Sequence, residues 1–428
     1  MKVVVIGGGW SGCAAAITAK KAGAEVHIYE KTDLLLGLGN VGGIMRNNGR
    51  YTAAEELIAL GGGDLINLTD VYCTHKNIDF PGHKHATLYD VNIIEGRVRE
   101  YILSLDINLH LEKRVRDVEM EDHKIKRLLL SDESYVDGDV FIETTGTTGP
   151  MGNCLRYGNG CSMCVLRCPS FGPRISISER CGAFDIQGER SGDELGAMSG
   201  SCKLAKESLS EDIRKELNEK GVVVLKIPKE DVNYKKLGTK VCQQYALKEF
   251  AENIVLLDTG HAKLMTTYYP LEKLRKIIGL EYAKYIDPYA GSKGNSVRYL
   301  SVAPRTNDLK VDGVDNLFCA GEKSGLFVGH TEAICTGSLA GHNAVRLAIG
   351  VPLLILPTSI AIGDIISYAN EKAKTRDGRK NRYTFAGAEY FKHMQDIGLY
   401  TLDKDEINLR IKKLNLNNIF NLKLKIGR

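Results

Sequence analysis

The N-terminal segment constrains the fold of this chain more than any other part of it. A short apolar strand pattern at Val3 to Ile6 leads directly into the motif G-x-G-x-x-G, which begins at Gly7. An alanine-rich stretch over Ser11 to Ala22 predicts a helix, and Glu25 to Tyr29 predicts a second strand. Glycines between a strand and a helix allow a tight turn, and they leave the backbone amides at the helix start open to a pyrophosphate. The segment therefore predicts a nucleotide-binding βαβ unit.

Further segments indicate which nucleotide is bound. Glu30 follows the second predicted strand, where a carboxylate can accept hydrogen bonds from ribose hydroxyls. Glu143 to Gly146 and Asn316 to Glu322 both resemble segments of flavoproteins. Together these features favour FAD over NAD, and over a glycine-rich turn that binds no ligand. The residues predicted to contact FAD are Gly7, Gly9, Trp10, Ser11, Gly12, Glu30, Lys31, Gly42, Val115, Thr145, Gly146, Gly321, Glu322, His330 and Thr331.

The nucleotide-binding pattern returns late in the chain. A strand at Leu317 to Ala320 and a helix from about Thr331 to Ile349 are predicted. We therefore expect an α/β fold with a Rossmann-type FAD-binding domain that is discontinuous in sequence, an inserted α+β substrate domain and a small C-terminal helical domain. The predicted boundaries are 1–150 and 301–350 for the two parts of the FAD-binding domain, 151–300 for the insert and 351–428 for the basic helical tail.

Composition and apolar patterning bear on where the protein resides. The chain has 428 residues, 43% of them apolar, and can bury a large core. Its longest apolar stretches, such as Val351 to Leu356, are far shorter than the roughly 20 residues that a membrane-spanning helix requires. Met1 to Ile6 lacks the features of a secretory signal. We expect a cytoplasmic protein that begins at residue 1 and has no membrane partner.

A cluster of cysteines lies in the predicted insert. Cys154, Cys161, Cys164 and Cys168 are spaced C-x6-C-x2-C-x3-C, and a proline follows the last of them. This spacing resembles the end of a bacterial ferredoxin motif and favours a [4Fe-4S] cluster. Zinc held by four thiolates and buried cysteines without a metal are the competing interpretations. A cluster can pass single electrons to a flavin, whereas zinc has no redox chemistry, so the predicted FAD favours the cluster. Singly placed cysteines such as Cys242 are expected to pack in the core.

The late nucleotide-binding segment carries a family resemblance. Leu317 to Ala348 contains Leu-Phe-Cys-Ala-Gly-Glu, then Gly-His-Thr-Glu-Ala and Gly-Ser-Leu-Ala-Gly-His-Asn-Ala, and it resembles the glucose-inhibited division protein A family. That family includes FAD-dependent tRNA-modifying enzymes and folate-dependent tRNA uridine methyltransferases. Leu356 to Ser359 and Gln395 to Leu399 are similar in order to the helical tail of those enzymes. The resemblance implies an FAD-binding fold.

The same resemblance implies roles for individual positions. In such proteins the acid at the position of Glu322 holds the ribityl chain of FAD. The helix that begins near Gly329 points its N-terminus at the flavin ring, where the helix dipole favours the anionic reduced form. The RNA-modifying members use cysteine thiols, one of which follows an Arg-Tyr pair; Leu300 occupies that position here. We therefore carry over the FAD site without the reaction.

Three functions are compatible with these patterns. The leading hypothesis is an oxidoreductase that passes electrons between a [4Fe-4S] cluster and FAD to act on an unidentified substrate, with an electron-donor protein or NAD(P)H as its partner. The second is an FAD-dependent enzyme that modifies tRNA or another RNA. The third is a flavoprotein with a purely structural metal that performs an NAD(P)H-dependent reduction. No catalytic residue is identified; His261, His330 and Glu332 are candidates because polar residues after strands or at helix starts often face a substrate.

The charge of the tail bears on the RNA hypothesis. From Glu371 onward the chain has fourteen Lys and Arg against seven Asp and Glu, a formal charge of +7. Such a surface can contact RNA phosphates, or it can be a solvated helical face with no partner. Both interpretations stay open at the level of sequence.

Overall fold

The computed structural model describes residues 1–146, 175–190, 202–267, 269–286 and 300–425, together with the backbone of strands 197–199 and 296–298. Its strands are β1 (Lys2–Ile6), β2 (Glu25–Tyr29), β3 (Ile44–Arg46), β4 (Cys73–Phe80), β5 (His83–Tyr89), β6 (Asn108–His110), β7 (Val115–Glu121), β8 (Lys124–Leu130), β9 (Tyr135–Asp137), β10 (Val140–Glu143), β11 (Ile186–Gln187), β12 (Ala197–Ser199), β13 (Cys202–Leu204), β14 (Val222–Lys226), β15 (Asn253–Asp258), β16 (Ala262–Leu264), β17 (Ser296–Arg298), β18 (Ser301–Val302) and β19 (Leu317–Cys319).

The α-helices of the described residues are α1 (Trp10–Ala22), α2 (Gly39–Gly42), α3 (Gly49–Ala59), α4 (Asp64–Val71), α5 (Ile94–Ser104), α6 (Ile177–Arg180), α7 (Glu211–Lys220), α8 (Glu249–Glu252), α9 (Leu271–Leu274), α10 (His330–Ala348), α11 (Ala361–Ala373), α12 (Arg376–Lys380), α13 (Ala388–Asp396) and α14 (Lys404–Lys413). None of these helices is both long enough and apolar enough to cross a membrane.

Five parallel strands form the central sheet, in the order β19-β10-β1-β2-β6. Val3, Val4 and Val5 of β1 are completely buried, as expected for a parallel strand covered on both faces. β19 comes from the late segment of the chain and pairs with β10, so that Phe318 lies opposite Ile142. One sheet is thus built from two distant segments, and the predicted discontinuous FAD-binding domain is confirmed as a fold.

Alternate residues of β1 face two different layers. Val3 and Val5 belong to the buried cluster that includes α1 and α10. Val4 and Ile6 belong to another cluster, formed with the antiparallel strands β7, β8 and β9. This alternation follows from the two-residue period of a strand. The central sheet therefore separates a helical layer from a small antiparallel sheet.

Helices α1 and α10 approach each other unusually closely. A Cβ atom at Gly337 would lie 2.2 Å from the carbonyl oxygen of Ser11, and a Cβ atom at Gly341 would lie 2.1 Å from that of Ala15. Real Cβ atoms do not make contacts this short because of van der Waals repulsion. The two helices can pack at this distance only because both positions are glycine.

The insert contributes a second sheet, β13-β16-β15-β14, which is antiparallel. Ile213 and Leu217 of α7 are buried in its core with Leu256 of β15. A further cluster joins this insert to the sheet β3-β5-β4, since Leu88 of β5 and Leu257 of β15 are both buried in it. The insert is therefore packed directly against the segment that follows the first nucleotide-binding unit.

The C-terminal helices share the main core. Ile365 of α11 and Tyr390 of α13 belong to the same buried cluster as β1. The buried carboxylate of Glu56 accepts hydrogen bonds from the backbone N–H groups of Ala361 and Ile362, at 2.9 and 3.1 Å, and so caps the start of α11. The helical character predicted for the tail is confirmed, and the tail is attached by buried polar and apolar contacts.

We predict that Gly341→Val lowers the free energy of unfolding by about 3 kcal/mol, since the added side chain must push α10 away from α1. Gly96→Ala is the matched control, because Gly96 is exposed in α5 and its Cβ would meet nothing within 4 Å. The control should raise stability by about 0.5 kcal/mol through helix propensity. Urea denaturation monitored by circular dichroism measures both. Equal stability of the two variants would contradict the close packing of these helices.

Candidate functional site

A pocket opens at the carboxyl edge of the central sheet, where parallel α/β folds place their ligands. Its wall includes Ile6 after β1, Tyr29 at the end of β2 and Thr144 after β10. The start of α10 and a segment of the insert close it from other sides. The predicted FAD contacts that line this pocket are Gly7, Gly9, Trp10, Ser11, Glu30, Lys31, Gly42, Val115, Thr145, Gly146, Glu322 and His330.

Three other predicted contacts support the pocket from behind its wall. A Cβ at Gly12 would lie 1.9 Å from the carbonyl oxygen of Gly7, so this glycine allows α1 to begin against β1. Gly321 has φ +67°, and a Cβ there would lie 2.6 Å from Ser11 Oγ. The buried Thr331 hydroxyl donates to the carbonyl oxygen of Met45 at 2.7 Å. These residues shape the pocket without forming its surface.

Gly9 shows whether the pocket fits a pyrophosphate. Its backbone, at φ −68° and ψ −178°, is accessible to any residue, and a Cβ there would meet nothing within 4 Å. The polypeptide itself therefore gives no reason for glycine at this position. Gly9 is the N-cap of α1, and no side chain caps this helix start. Open space beside uncapped amides is the arrangement that a closely approaching phosphate needs.

Glu30 is held at the end of β2 by backbone donors. Its carboxylate accepts hydrogen bonds from the N–H of Gly8 at 2.8 Å and from the N–H of Thr32 at 2.9 Å. A carboxylate has about four acceptor positions, so further donors such as ribose hydroxyls can be accommodated. This geometry fits the ribose of a dinucleotide.

The second helix terminus at the pocket is the start of α10. Its N-cap, Gly329, has φ +156°, and no side chain caps the helix. His330 follows, and its Nδ1 lies 3.1 Å from the hydroxyl of Tyr89. A Cβ at Gly42 would lie 1.8 Å from His330 Cε1, so the imidazole packs directly on this glycine. The positive end of α10 and the imidazole thus face the same pocket.

The other two catalytic candidates have different environments. Glu332 does not line the pocket: its buried carboxylate pairs with Arg50 at 3.1 Å and accepts from the hydroxyl of Thr384 at 2.7 Å. Glu332 therefore fixes the start of α10 to neighbouring segments of the chain. His261 lies in the turn between β15 and β16, where its carbonyl accepts from the N–H of Thr259 at 3.0 Å, and it is also absent from the pocket wall.

Pocket residues from the insert were missed by sequence reasoning. Cys242 was expected in the core, but it is only partly buried and lines the pocket with Gln244 and Tyr245. Lys263 of β16 also lines it, and burial lowers the pKa of this lysine to about 8. No local motif marks these positions. Lys263 lies on a strand of the antiparallel sheet, the other three lie in the connection between β14 and β15, and the remaining wall residues are far away in sequence.

The predicted metal ligands Cys154, Cys161, Cys164 and Cys168 lie outside the described residues. In the ranges that the structure does describe, no group of three or more His, Cys, Asp and Glu side chains is arranged to hold a metal ion.

These features define an α/β dinucleotide-binding protein of the flavoprotein type. They are a parallel sheet with a glycine-rich turn, an acid after the second strand and a second helix terminus over the pocket. The family described as Glucose inhibited division protein A matches residues 2–255 and 233–352, and the chain belongs to that family. This membership supports FAD as the cofactor.

Relatives and solved structures agree with the family match. The chain is 25% identical over 419 residues to the tRNA uridine 5-carboxymethylaminomethyl modification enzyme MnmG of Clostridium novyi, covering 85% of this chain and 64% of that protein. The chain is also 42% identical over 104 residues to the methylenetetrahydrofolate–tRNA-(uracil-5-)-methyltransferase TrmFO of Dictyoglomus turgidum. This match covers 24% of this chain and 23% of that protein. The structure of Aquifex aeolicus GidA matches with a TM-score of 0.66 at 19% identity, covering 98% of this chain and 74% of that chain. The chain thus spans less than two thirds of the length of the MnmG relative.

The leading functional prediction is wrong. Electron transfer between a [4Fe-4S] cluster and FAD was inferred from the spacing of four cysteines, but the relatives that match across most of the chain are named as tRNA uridine modification enzymes. Cysteine spacing is compatible with iron-sulfur, zinc or no metal, and it does not identify a reaction. The match to the relatives involves the whole nucleotide-binding fold, and it favours the second hypothesis.

We predict that Gly9→Val folds normally and weakens FAD binding at least about tenfold, or about 1.4 kcal/mol. Its side chain would fill the space beside the α1 amides. Gly12→Val is the contrasting variant: it should lose stability as well as FAD, because its Cβ meets the carbonyl of Gly7. Titration of the apoprotein with FAD, followed by flavin fluorescence, measures affinity, and thermal unfolding measures stability. Unchanged FAD affinity in Gly9→Val would contradict the prediction that the pyrophosphate binds at this turn.

Proposed function

We propose that the protein is an FAD-dependent enzyme that modifies uridine in tRNA. The observation that carries the proposal is the similarity to the MnmG relatives over 85% of the chain, within a family that matches residues 2–352. Both the nucleotide-binding segments and the insert fall inside that range. Because the chain spans only 64% of the length of the MnmG relative, its activity and its RNA partner are part of the proposal.

The FAD site is proposed from the geometry of the pocket. The amides at the start of α1 bind the pyrophosphate, Glu30 accepts from the adenosine ribose, and Glu322 holds the ribityl chain. The start of α10 faces the ring system, where a helix N-terminus stabilises negative charge by about 0.3 to 2 kcal/mol. When bound, the flavin supplies hydride or single-electron transfer.

The part of the pocket that the insert lines suits a base with an imide edge. Gln244 is buried, and its Oε1 has no hydrogen-bond donor among the described residues. An imide N–H, which uracil and the flavin ring both carry, can supply that donor. Tyr245 lines the same pocket. The unsatisfied amide oxygen of Gln244 favours recognition of a pyrimidine taken out of its RNA stack, because uracil carries an imide N–H.

The tail supplies exposed positive charge for RNA phosphates. Several of its basic residues are neutralised: Lys372 pairs with Glu389, for example, and Lys374 with Glu371. The exposed lysines that make no ion pair within the described part of the chain are Lys392, Lys412, Lys413, Lys423 and Lys425. These ammonium groups are the ones we assign to phosphate contacts.

The proposal predicts salt-dependent tRNA binding that needs these lysines. Lys412→Glu with Lys413→Glu should weaken binding of bulk tRNA at least about tenfold at low salt, and it should reduce the salt slope by about two, because each phosphate contact contributes about 0.9. Lys226→Glu with Lys229→Glu, two exposed lysines of the insert that also make no ion pair within the described residues, is the matched control and should bind as the unaltered protein does. Electrophoretic retardation across a salt series measures both.

If the unaltered protein does not retard the migration of tRNA at low salt, tRNA is not its partner. If the two double variants bind tRNA equally, the surface that binds RNA does not include Lys412 and Lys413. For the reaction itself, deletion of the gene in its host should remove a modified uridine from bulk tRNA, as measured by nucleoside mass spectrometry. An unchanged nucleoside profile would contradict uridine modification.

Independently of the reaction, we infer that Cys154, Cys161, Cys164 and Cys168 bind a metal centre. Iron, sulfide and zinc quantified on one anaerobically purified sample test this prediction. About four irons per chain would indicate a [4Fe-4S] cluster, and about one zinc would indicate a four-thiolate zinc site. Neither metal, with all four thiols free to react, would contradict it.

A further inference from the structure

A buried lysine directly follows Glu322, the residue that we assign to the ribityl chain. Lys323 is 1% exposed and does not line the pocket, whereas Glu322 does. Both residues belong to a short 3₁₀ turn, Gly321–Lys323, that comes after β19. Successive side chains of such a turn point about 120° apart, because it has three residues per turn. Glu322 therefore faces the pocket while Lys323 is directed into the protein.

The Lys323 ammonium contacts two buried carboxylates. It donates a hydrogen bond to Asp185, whose side chain is 2% exposed, and it lies 3.8 Å from the carboxylate of the completely buried Glu143. It also donates to the hydroxyl of Ser176 at 2.8 Å. We call Lys323, Asp185 and Glu143 the buried charge triad. Two carboxylates and one ammonium leave the triad with one net negative charge.

Hydrogen-bond donors complete the surroundings of the two carboxylates. Glu143 accepts from the backbone N–H groups of Ile177 and Ser178, at 2.7 and 2.9 Å. Asp185 accepts from the hydroxyl of Ser178 at 2.9 Å. A buried carboxylate stays charged at low cost only when donors and a counter-charge surround it. Among the described residues, Lys323 is the cation that pairs with both carboxylates.

The triad also contacts a second pocket residue. The hydroxyl of Thr145 donates to Glu143 at 3.0 Å, and Thr145 lines the pocket. Thr145 follows β10 and Glu322 follows β19, and these two strands are neighbours in the central sheet. The triad therefore lies between two pocket-lining segments and joins them.

Other contacts hold the backbone of the turn but not its orientation. The N–H of Gly321 donates to the hydroxyl of Thr336 at 2.9 Å, and the carbonyl of Lys323 accepts from the N–H of Ala303 at 2.8 Å. A rotation that turned Glu322 away from the pocket would withdraw the Lys323 ammonium from the triad. Two buried carboxylates would then lack a counter-charge, which is much more costly than the loss of one neutral hydrogen bond.

We propose that Lys323 is a positioning residue of the FAD site: its pairing with Asp185 and Glu143 holds Glu322 at the ribityl chain. The inference rests on the FAD site of the proposed function and needs neither RNA nor a modification reaction. It assigns a function to charged side chains that lie outside the pocket.

Removal of the ammonium has a defined pH signature. Burial raises the pKa of Glu143, the Lys323 ammonium lowers it, and the charge of Asp185 raises it. The other titratable groups next to the triad are the thiols of Cys181 and Cys319 and the exposed carboxylate of Glu179. Burial raises the pKa of both thiols, so they carry no charge near neutral pH. Without Lys323 the two buried carboxylates repel each other, and one of them takes up a proton as the pH falls.

The experiment compares the binding of FAD and of ADP to the full-length apoprotein by calorimetry. ADP carries the adenosine and the pyrophosphate but no ribityl chain. Lys323→Met should weaken FAD binding at least about tenfold at pH 8, since a hydrogen bond to a charged group is lost, and it should leave ADP binding within about twofold. At pH 5.5 the FAD defect should shrink to about threefold or less, because one carboxylate is then protonated.

Two further variants serve as controls. Lys323→Arg keeps the positive charge and should keep the ratio of FAD affinity to ADP affinity. Lys310→Met removes a partly exposed lysine that precedes β19, pairs with Asp315 at 3.7 Å and does not line the pocket. It should bind both nucleotides as the unaltered protein does.

A double variant separates positioning from folding. Lys323→Met with Asp185→Asn removes both members of a buried ion pair, and such a replacement costs much less stability than removal of one partner. Glu143 keeps its backbone donors in this variant. Thermal unfolding should show a folded protein, and FAD binding should still be weakened at least about tenfold relative to ADP binding. This loss should not recover at pH 5.5, because no repelling pair of carboxylates is left.

Three outcomes would overturn the proposal. These are unchanged FAD affinity in the double variant, equal losses of FAD and ADP affinity in that variant, and a defect of folded Lys323→Met that is the same at both pH values. Absence of FAD binding by the unaltered protein would instead contradict the FAD site itself. Because the assay contains no RNA, failure of tRNA binding would bear only on the proposed function.

Discussion

The close contact between α1 and α10 is the interaction on which the site depends. Gly337 and Gly341 let the backbone of α10 approach that of α1, which itself begins in the glycine-rich turn after β1. This contact places the N-termini of both helices at the carboxyl edge of the same sheet. In the proposed FAD site, one terminus binds the pyrophosphate and the other faces the flavin ring. A side chain between the helices would separate the two ends of a dinucleotide site.

The buried charges of the described residues differ in whether they have internal partners. Arg50 and Glu332 neutralise each other at the start of α10, and removing either partner would leave an uncompensated charge in the core. Glu56 caps α11 with two hydrogen bonds, although burial raises its pKa to about 7. Lys240 and Lys263 donate to backbone carbonyls but pair with no carboxylate in the described part of the chain. Internal partners thus stabilise Arg50 and Glu332 as charges, whereas burial without a counter-charge lowers the pKa of the two lysines to about 8.

The cysteine motif illustrates how a strong local pattern can mislead. Four cysteines at ferredoxin-like spacing suggested electron transfer, and the loss of an expected thiol at Leu300 weakened the RNA hypothesis. The family match reverses this order because it rests on most of the chain. Cys242, which appeared to be an ordinary core cysteine, proves to be the residue that brings a thiol to the pocket wall. Spacing along the chain reports metal-binding capacity, whereas the position of a thiol relative to a pocket determines its chemical use.

The sequence by itself determined the βαβ unit and the sheet built from two distant segments, and twelve of the fifteen residues that it predicts to contact FAD line one pocket. β1, α1 and β2 lie within one residue of the segments expected, because the strand period, the alanine-rich helix and the glycine turn all act over a few neighbouring residues. Only the tertiary structure decided that Glu332 pairs with Arg50 and that Cys242 and Lys263 meet His330 at one pocket. These groups are far apart in the chain and carry no shared motif. Their proximity arises from the packing of the insert against β3, β4 and β5, which depends on apolar contacts that local sequence patterns do not specify.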